Sequence, residues 1–164
     1  MLKLADLRAH LTAALPEAAR DPEKFIVIAT GGAITSTGTE SLSFEYSYTA
    51  CVYLLDYAGH ADAVIVPLLA WAKRNQIELF ANPDKWPKGI RFNAEYLTTT
   101  TIDLGIEIDL TERVVVGPRP GGPAGALQAE HLPEPPQIGV VLQAEHWTLW
   151  LKDEQIGELY INPR

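Results

Sequence analysis

The sequence predicts an α+β domain: a mainly antiparallel sheet with two helices packed on one face, followed by a C-terminal β-hairpin arm. Three observations carry this. Leucines recur at helical spacing near the start, a second helical stretch follows at residues 60–76, and residues 102–111 alternate strictly between apolar and polar side chains.

The elements follow in order. Leu4, Leu7, Leu11 and Leu15 oppose Asp6, Arg8, His10 and Thr12, which predicts an amphipathic helix over residues 3–15 that closes at Pro16 and at Asp21-Pro22. Lys24 to Thr30, KFIVIAT, is short, apolar and β-branched, hence a strand, and Gly31-Gly32 is expected to turn the chain. From Leu42 to Leu54 the even positions are apolar or aromatic, while the odd positions start polar and become apolar at Cys51. This predicts a long strand, half exposed at its start and more enclosed at its end. His60 to Gln76 reads as a helix with Val64, Leu68, Trp71 and Ala72 inward, Asp62 as N-cap, and Lys73 and Arg74 at the negative end of its dipole. Pro67 either kinks that helix or marks its late start. Ile90–Tyr96 and Ile102–Val116 are strands, the second with Ile102, Leu104, Ile106, Ile108 and Leu110 inward and an acidic outer face. WTLWL, a KDEQ turn and IGELYI (156–161) have the form of a β-hairpin, which must dock on something because an isolated hairpin is marginal in water.

At 164 residues the chain suits one ordinary domain, and its 47% hydrophobic content excludes disorder of the whole. A net charge of -8 disfavours nucleic-acid binding, since no phosphate counterions would be released. A single cysteine, Cys51, makes neither an internal disulfide nor a thiolate zinc site, so cytoplasmic assembly is the expectation. The start MLKLADLRAHL interleaves charges with leucines, and no run approaches the roughly 18–20 apolar residues of a membrane span, so neither signal peptide, anchor nor membrane partner is expected. Six of the twelve prolines and four of the twelve glycines fall between Gly117 and Pro136. The chain therefore divides into a core at 1–116, a Pro/Gly-rich linker at 117–137 and a hairpin arm at 138–164. LQAEH occurs twice, at 127–131 and 142–146, too short a repeat to indicate a solenoid.

Chemistry-bearing patterns are sparse. FIVIATGGAITSTG resembles the opening of an L-asparaginase-type amidohydrolase, where a nucleophilic threonine follows the two glycines, but here that position is Ala33 and no second motif supplies an activating group. No Gly-Lys-Ser/Thr follows either, so a glycine turn and a polar loop are expected. His10, His60, His131 and His146 have no metal-ligand spacing and are expected at the surface. Asp103, Glu107 and Asp109 read as a solvated strand face, as a cation site, or as an acidic wall that would let DNA slide past. Trp71 is expected in the core, whereas Trp147 and Trp150 lie on opposite faces of a short strand and suit an interface. Trp86 suits a core lid and a contact equally. No catalytic residue, cofactor or metal ligand is identified.

Across residues 2–116 the chain resembles the tail completion protein R family of temperate contractile-tailed bacteriophages. The resemblance rests on Leu7-Arg8 with Leu11, Ile34 with Ser36-Thr37, Ser41-Leu42-Ser43-Phe44-Glu45 with Tyr48, Val66-Pro67 with Leu69-Ala70-Trp71, Asn75-Gln76, Gly89 with Phe92 and Ala94, and Leu110-Thr111-Glu112-Arg113. It implies a non-enzymatic protein with a tail-terminator-like fold. Such a protein completes the tail at its head-proximal end and prepares it for head joining, located in the virion tail after assembly in the host cytoplasm. The implied partners are copies of itself, in a six-fold ring by analogy, the tail tube protein, and head–tail connector or neck proteins. Another neck or minor tail adaptor is the alternative, and an amidohydrolase-like enzyme a remote one. The residues expected to face tube or neighbour are Ser36, Thr37, Glu40, Ser43 and Glu45, with Trp86, Trp147 and Trp150 as further contacts. Glu112 and Arg113 are candidates for an intersubunit ion pair or, equally, for an ordinary surface or intrachain contact, and Asp103, Glu107 and Asp109 for facing a channel.

Overall fold

The computed structural model describes residues 1–36, 40–135 and 145–161. Its first helix, α1 (Leu2–Ala14), buries Leu7, Leu11 and Ala14, as the leucine spacing requires. Pro16 does more than stop it. Proline is tolerated at a first helical position because that N–H has no partner to lose, and here it opens a short second helix, α2 (Pro16–Arg20).

Strand β1 (Phe25–Ser36) pairs antiparallel with β2 (Phe44–Tyr57). The expected turn at Gly31-Gly32 is corrected: β1 runs through both glycines, and its register against β2 shifts between Thr30 and Ala33. Gly31 has φ +60, a conformation that a Cβ disfavours, so the glycines accommodate a bulge within one strand. Helix α3 (Ala61–Asn75) begins well before Pro67 and includes it, so the late start is excluded. Its N-cap is His60, whose ring nitrogen accepts from the Asp62 amide at 3.1 Å, rather than Asp62 itself. A short helix α4 (Glu78–Ala81) and a 3-10 turn at Pro83–Lys85 lead to β3 (Ile90–Tyr96).

Strand β4 (Ile102–Pro118) is the spine of the sheet, whose order is β1-β2-β4-β3. Part of the expected linker is also ordered into this sheet, because Leu127–His131 forms β5 and pairs with the end of β4. Val114 has Phe44 of β2 on one side and His131 on the other, while Ile108 has Ala50 on one side and Ile90 of β3 on the other. Two short strands thus share one edge of β4, with a gap between them. Gln76, at the end of α3, fills it. Its side-chain oxygen accepts from the Thr111 amide at 3.1 Å and its side-chain nitrogen donates to Thr111 Oγ1 at 2.9 Å, so a side chain does there what a strand does on either side.

Tyr48, Ala50, Val52 and Leu54 of β2 and Leu104, Ile106, Ile108 and Leu110 of β4 face α1 and α3, and form one core with Leu7, Leu11, Val64, Leu68 and Trp71. The Trp71 indole donates to Asp6 Oδ2 at 2.7 Å and so ties the two long helices together. The C-terminal hairpin, β6 (Glu145–Leu151) with β7 (Glu154–Ile161), is a separate two-stranded sheet. It rests on the helices, where Leu159 is buried beside Ala14 and Ala70.

Leu11→Ala should lower unfolding free energy by about 2–5 kcal/mol, the usual result of emptying a fully buried leucine site. Gly31→Ala should cost only about 1–2 kcal/mol, through backbone strain. Urea unfolding measures both; a Leu11→Ala loss smaller than that of Gly31→Ala would contradict the burial described.

Candidate functional site

The most unusual position in the fold is a carboxylate in the middle of β4. Because successive strand residues face opposite sides, Thr111 and Arg113 point one way and Glu112 the other, onto the core face beside Leu110 and Val114. Glu112 is 4% exposed. A buried charge is tolerated only when fully bonded, and here every acceptor position is used. Oε2 accepts from the Leu2 amide at 2.7 Å and lies 2.9 Å from His131 Nδ1; Oε1 accepts from the Tyr48 hydroxyl at 2.5 Å and from the Lys3 amide at 3.3 Å.

Two of those donors belong to the first turn of α1. That helix has neither a capping side chain of its own nor an acidic residue in its first turn, so Glu112 supplies both the acceptor and the negative charge its N-terminus lacks. Burial pushes the Glu112 carboxyl up, but the Tyr48 hydroxyl and the Leu2 amide more than offset this and hold it below the ordinary glutamate range. The same arrangement, burial first and Glu112 second, raises the Tyr48 hydroxyl well above its usual value. Around this node Lys3 Nζ bonds Gln76 Oε1 at 2.8 Å and Glu134 Oε1 at 2.5 Å, and the Leu132 amide donates to the Arg113 carbonyl at 3.0 Å. Together these contacts join α1, α3, β2, β4 and β5. The saturated carboxylate has no acceptor position left for a substrate, so its role is architectural.

Glu112 therefore departs from the expected intersubunit ion pair: it is spent inside its own chain. Arg113, on the opposite face, stands across from Glu45 in the β2–β4 register. In the polar segment before β2, Ser41 Oγ and Ser43 Oγ lie 2.7 Å apart and Ser36 Oγ donates to the Ser43 carbonyl at 3.4 Å. Ser43 Oγ also accepts from the Val116 amide at 3.0 Å, fastening this segment to the end of β4. Ser36 and Glu40 are exposed, and Ser43 and Glu45 are half-buried. Thr37 lies outside the described residues.

The sheet face turned away from the helices carries Asp103, Glu107 and Asp109, together with a residue the sequence reading missed. Arg91 of β3 reaches Glu107 at 3.1 Å and Asp109 at 3.0 Å. Its bond to Asp109, more than the opposing effect of burial, raises the guanidinium further. At Asp109 burial acts upward, and the bonds from Arg91 and Thr49 prevail and lower the carboxyl. Asp103 Oδ1 accepts from the Asp56 amide at 2.8 Å. Among the described residues no three His, Cys, Asp or Glu side chains form a group that could hold a metal.

Trp71 is in the core as expected. Trp86 is 62% exposed although its indole donates to the Phe80 carbonyl at 2.9 Å, so it does not serve as a core lid. In the hairpin, Trp147 shares the helix-facing side with Leu159, its register partner, while the Trp150 indole donates to Thr148 Oγ1 on the outer side. Surface positions for all the histidines need correcting at two of them. His131 is held by Glu112, and His10 Nε2 bonds the Pro67 carbonyl at 3.1 Å, with burial lowering its pKa.

Comparison with known proteins decides the family. A family model described as P2 phage tail completion protein R (GpR) matches residues 1–135. The chain belongs to this family. Among curated relatives, the tail completion protein R of Escherichia phage P2 is 36% identical over 136 residues, which cover 83% of this chain and 85% of that protein. No solved structure matches. The family match takes in α1, the five-stranded sheet and the whole Glu112 node, and stops before the hairpin. Among the described residues no helix is long and apolar enough to cross a membrane.

Of the node's members, only Glu112 stands in the sequence reading as a candidate, and with a different role. Gln76, Tyr48 and His131 come from three other elements, and nothing local marks them as partners. Glu112→Gln should lower stability at neutral pH by about 1–3 kcal/mol, because an amide nitrogen leaves buried donors unpaired. The depressed carboxyl contributes stability that is complete above the unfolded glutamate value, about 4.3, and is lost as the pH falls through the lower folded value. Urea midpoints from pH 7 to pH 2 should therefore fall more steeply on the acid side for the native protein than for Glu112→Gln. Parallel curves would show that Glu112 is not the charged anchor.

Proposed function

We propose that this protein completes the phage tail at its head-proximal end and prepares it for head joining, acting through protein contacts and without catalysis. The observation that carries this reading is the 36% identity to the tail completion protein R of phage P2 over 85% of that protein. Copies of the chain form a cyclic ring, six-fold by analogy with small α+β tail-terminating proteins. One ring face matches the growing end of the tail tube and the other fails to reproduce it, so addition stops by lost complementarity. The ring then meets the connector or neck proteins of the head, and the protein resides in the virion tail after assembly in the host cytoplasm.

Physical features support specific surfaces. The segment around Ser36, Glu40, Ser43 and Glu45 is polar and lies at the mouth of the β1–β2 pair, where a tube subunit or neighbour can reach it. Trp86 and Trp150 expose more than half their surface, the behaviour of interface anchors. Asp103, Glu107 and Asp109, with Arg91 between the last two, leave the open sheet face net negative, which suits a channel wall that DNA must pass without sticking.

Electron microscopy of particles made without this protein should show overlong or headless tails. Normal tails that fail only at host attachment would overturn the reading. Trp86→Ala should weaken assembly measured by light scattering with tube protein present, while leaving the unfolding free energy from urea titration within about 0.5 kcal/mol of native, as for surface changes generally.

A further inference from the structure

The hairpin's seat on the helices differs in character from every other contact in the fold. Its strands share no ladder with the five-stranded sheet. The side-chain bonds of its described residues stay inside it: His146 to Glu158, Tyr160 to Glu158, Trp147 to Glu145 and Trp150 to Thr148. What holds it to α1 and α3 is apolar and thin, with Leu159 its one buried side chain among the described residues. Open clefts of about 170 Å3 beside Trp147 and Leu149, and about 580 Å3 between β7 and the end of α1, flank the seat, so solvent reaches its rim on both sides.

We propose that the hairpin is an exchangeable arm that seats on the α1–α3 face of a second copy of the chain when copies assemble. The seat and its occupant are already matched, so exchange needs no new surface, and the side-chain bonds of the described hairpin residues all stay within the hairpin. The thirteen residues between β5 and β6 can reach about 45 Å when extended, so the hairpin is tethered to its own core by a long connection. The inference rests on the ring reading for the presence of a neighbour.

The structure supplies the test. A Cβ placed at Gly157 would lie 3.7 Å from Ala63 Cβ, within the span of about 3.5–4.5 Å that a disulfide needs. In a full-length Cys51→Ala background, Ala63→Cys and Gly157→Cys chains are refolded together at assembly concentration, oxidised and run without reductant. A disulfide-linked dimer containing one chain of each kind is the expected product. A chain carrying both substitutions should give covalent multimers at high concentration and intrachain closure on dilution. Intrachain closure at every concentration, or no disulfide in any sample, overturns the proposal. Light scattering on the same samples separates the two readings: oligomers whose hairpins close only within their own chain sink the exchange and leave the ring, whereas monomers throughout sink both.

Discussion

Placing a carboxylate on the core face of a central strand costs several kcal/mol in lost hydration unless its partners replace the water. Here they do, and they come from both ends of the chain order: two amides from the first turn of α1, a phenol from β2, an imidazole from β5. The bonds are mutual obligations. Without Glu112 the start of α1 has orphan N–H groups and no compensating charge; without α1 the carboxylate loses two of its four partners and keeps only Tyr48 and His131. The angle at which α1 enters the core, and hence the stripe of leucines it presents, follows from this one fixed point. So does the position of β5, whose last residue is His131 and whose edge would otherwise be free to fray.

The long strand that carries Glu112 has a second consequence. At seventeen residues β4 is about three times the ordinary strand length, and it serves two partners along one edge. Only a polar side chain can bridge the break between them without another strand, and Gln76 offers both an acceptor and a donor at the right spacing. The end of α3, the edge of the sheet and Lys3 of α1 are thus locked at one place. The opposite face of the same strand is left open to solvent, with its charge partly balanced by Arg91. The fold separates a sealed side, where the elements are locked together, from a bare side free for contacts.

Much of this was legible in order of residues. The two long helices, the strands at 44–57, 90–96 and 102–118, and the hairpin follow from periodicities of 3.6 and 2, because each element buries one face against a single core. What escaped depends on partners distant in sequence. Gly31-Gly32 has the composition of a turn, and only the continued pairing of Ala33 to Ser36 with β2 makes it a bulge. Leu127–His131 sits among prolines and glycines with no pattern of its own, and becomes a strand because β3 stops opposite Ile108 and leaves Val114 to Pro118 an edge to pair with on that side of β4. Leu-Thr-Glu-Arg looks like the charged end of a strand; the alternation that sets Leu110 inward carries Glu112 to the same face and Arg113 to the other, but nothing local shows the partners that let a carboxylate stay there. Arg91 was invisible as a bridge because its role depends on the β3–β4 register, which sequence alone does not set.

The bond between the Leu2 amide and Glu112 spans 110 positions of chain. During translation at about 5–20 residues per second, α1 emerges about 6–22 seconds before the residue that anchors its first turn. For that interval its leucines have at most β1 and β2 to cover and its first-turn amides no acceptor but water, and His131 follows later still. The node around α1 can therefore close only after residues as far as His131 have emerged. A subunit sealed so late has no finished surface to dock until residues as far as His131 have left the ribosome.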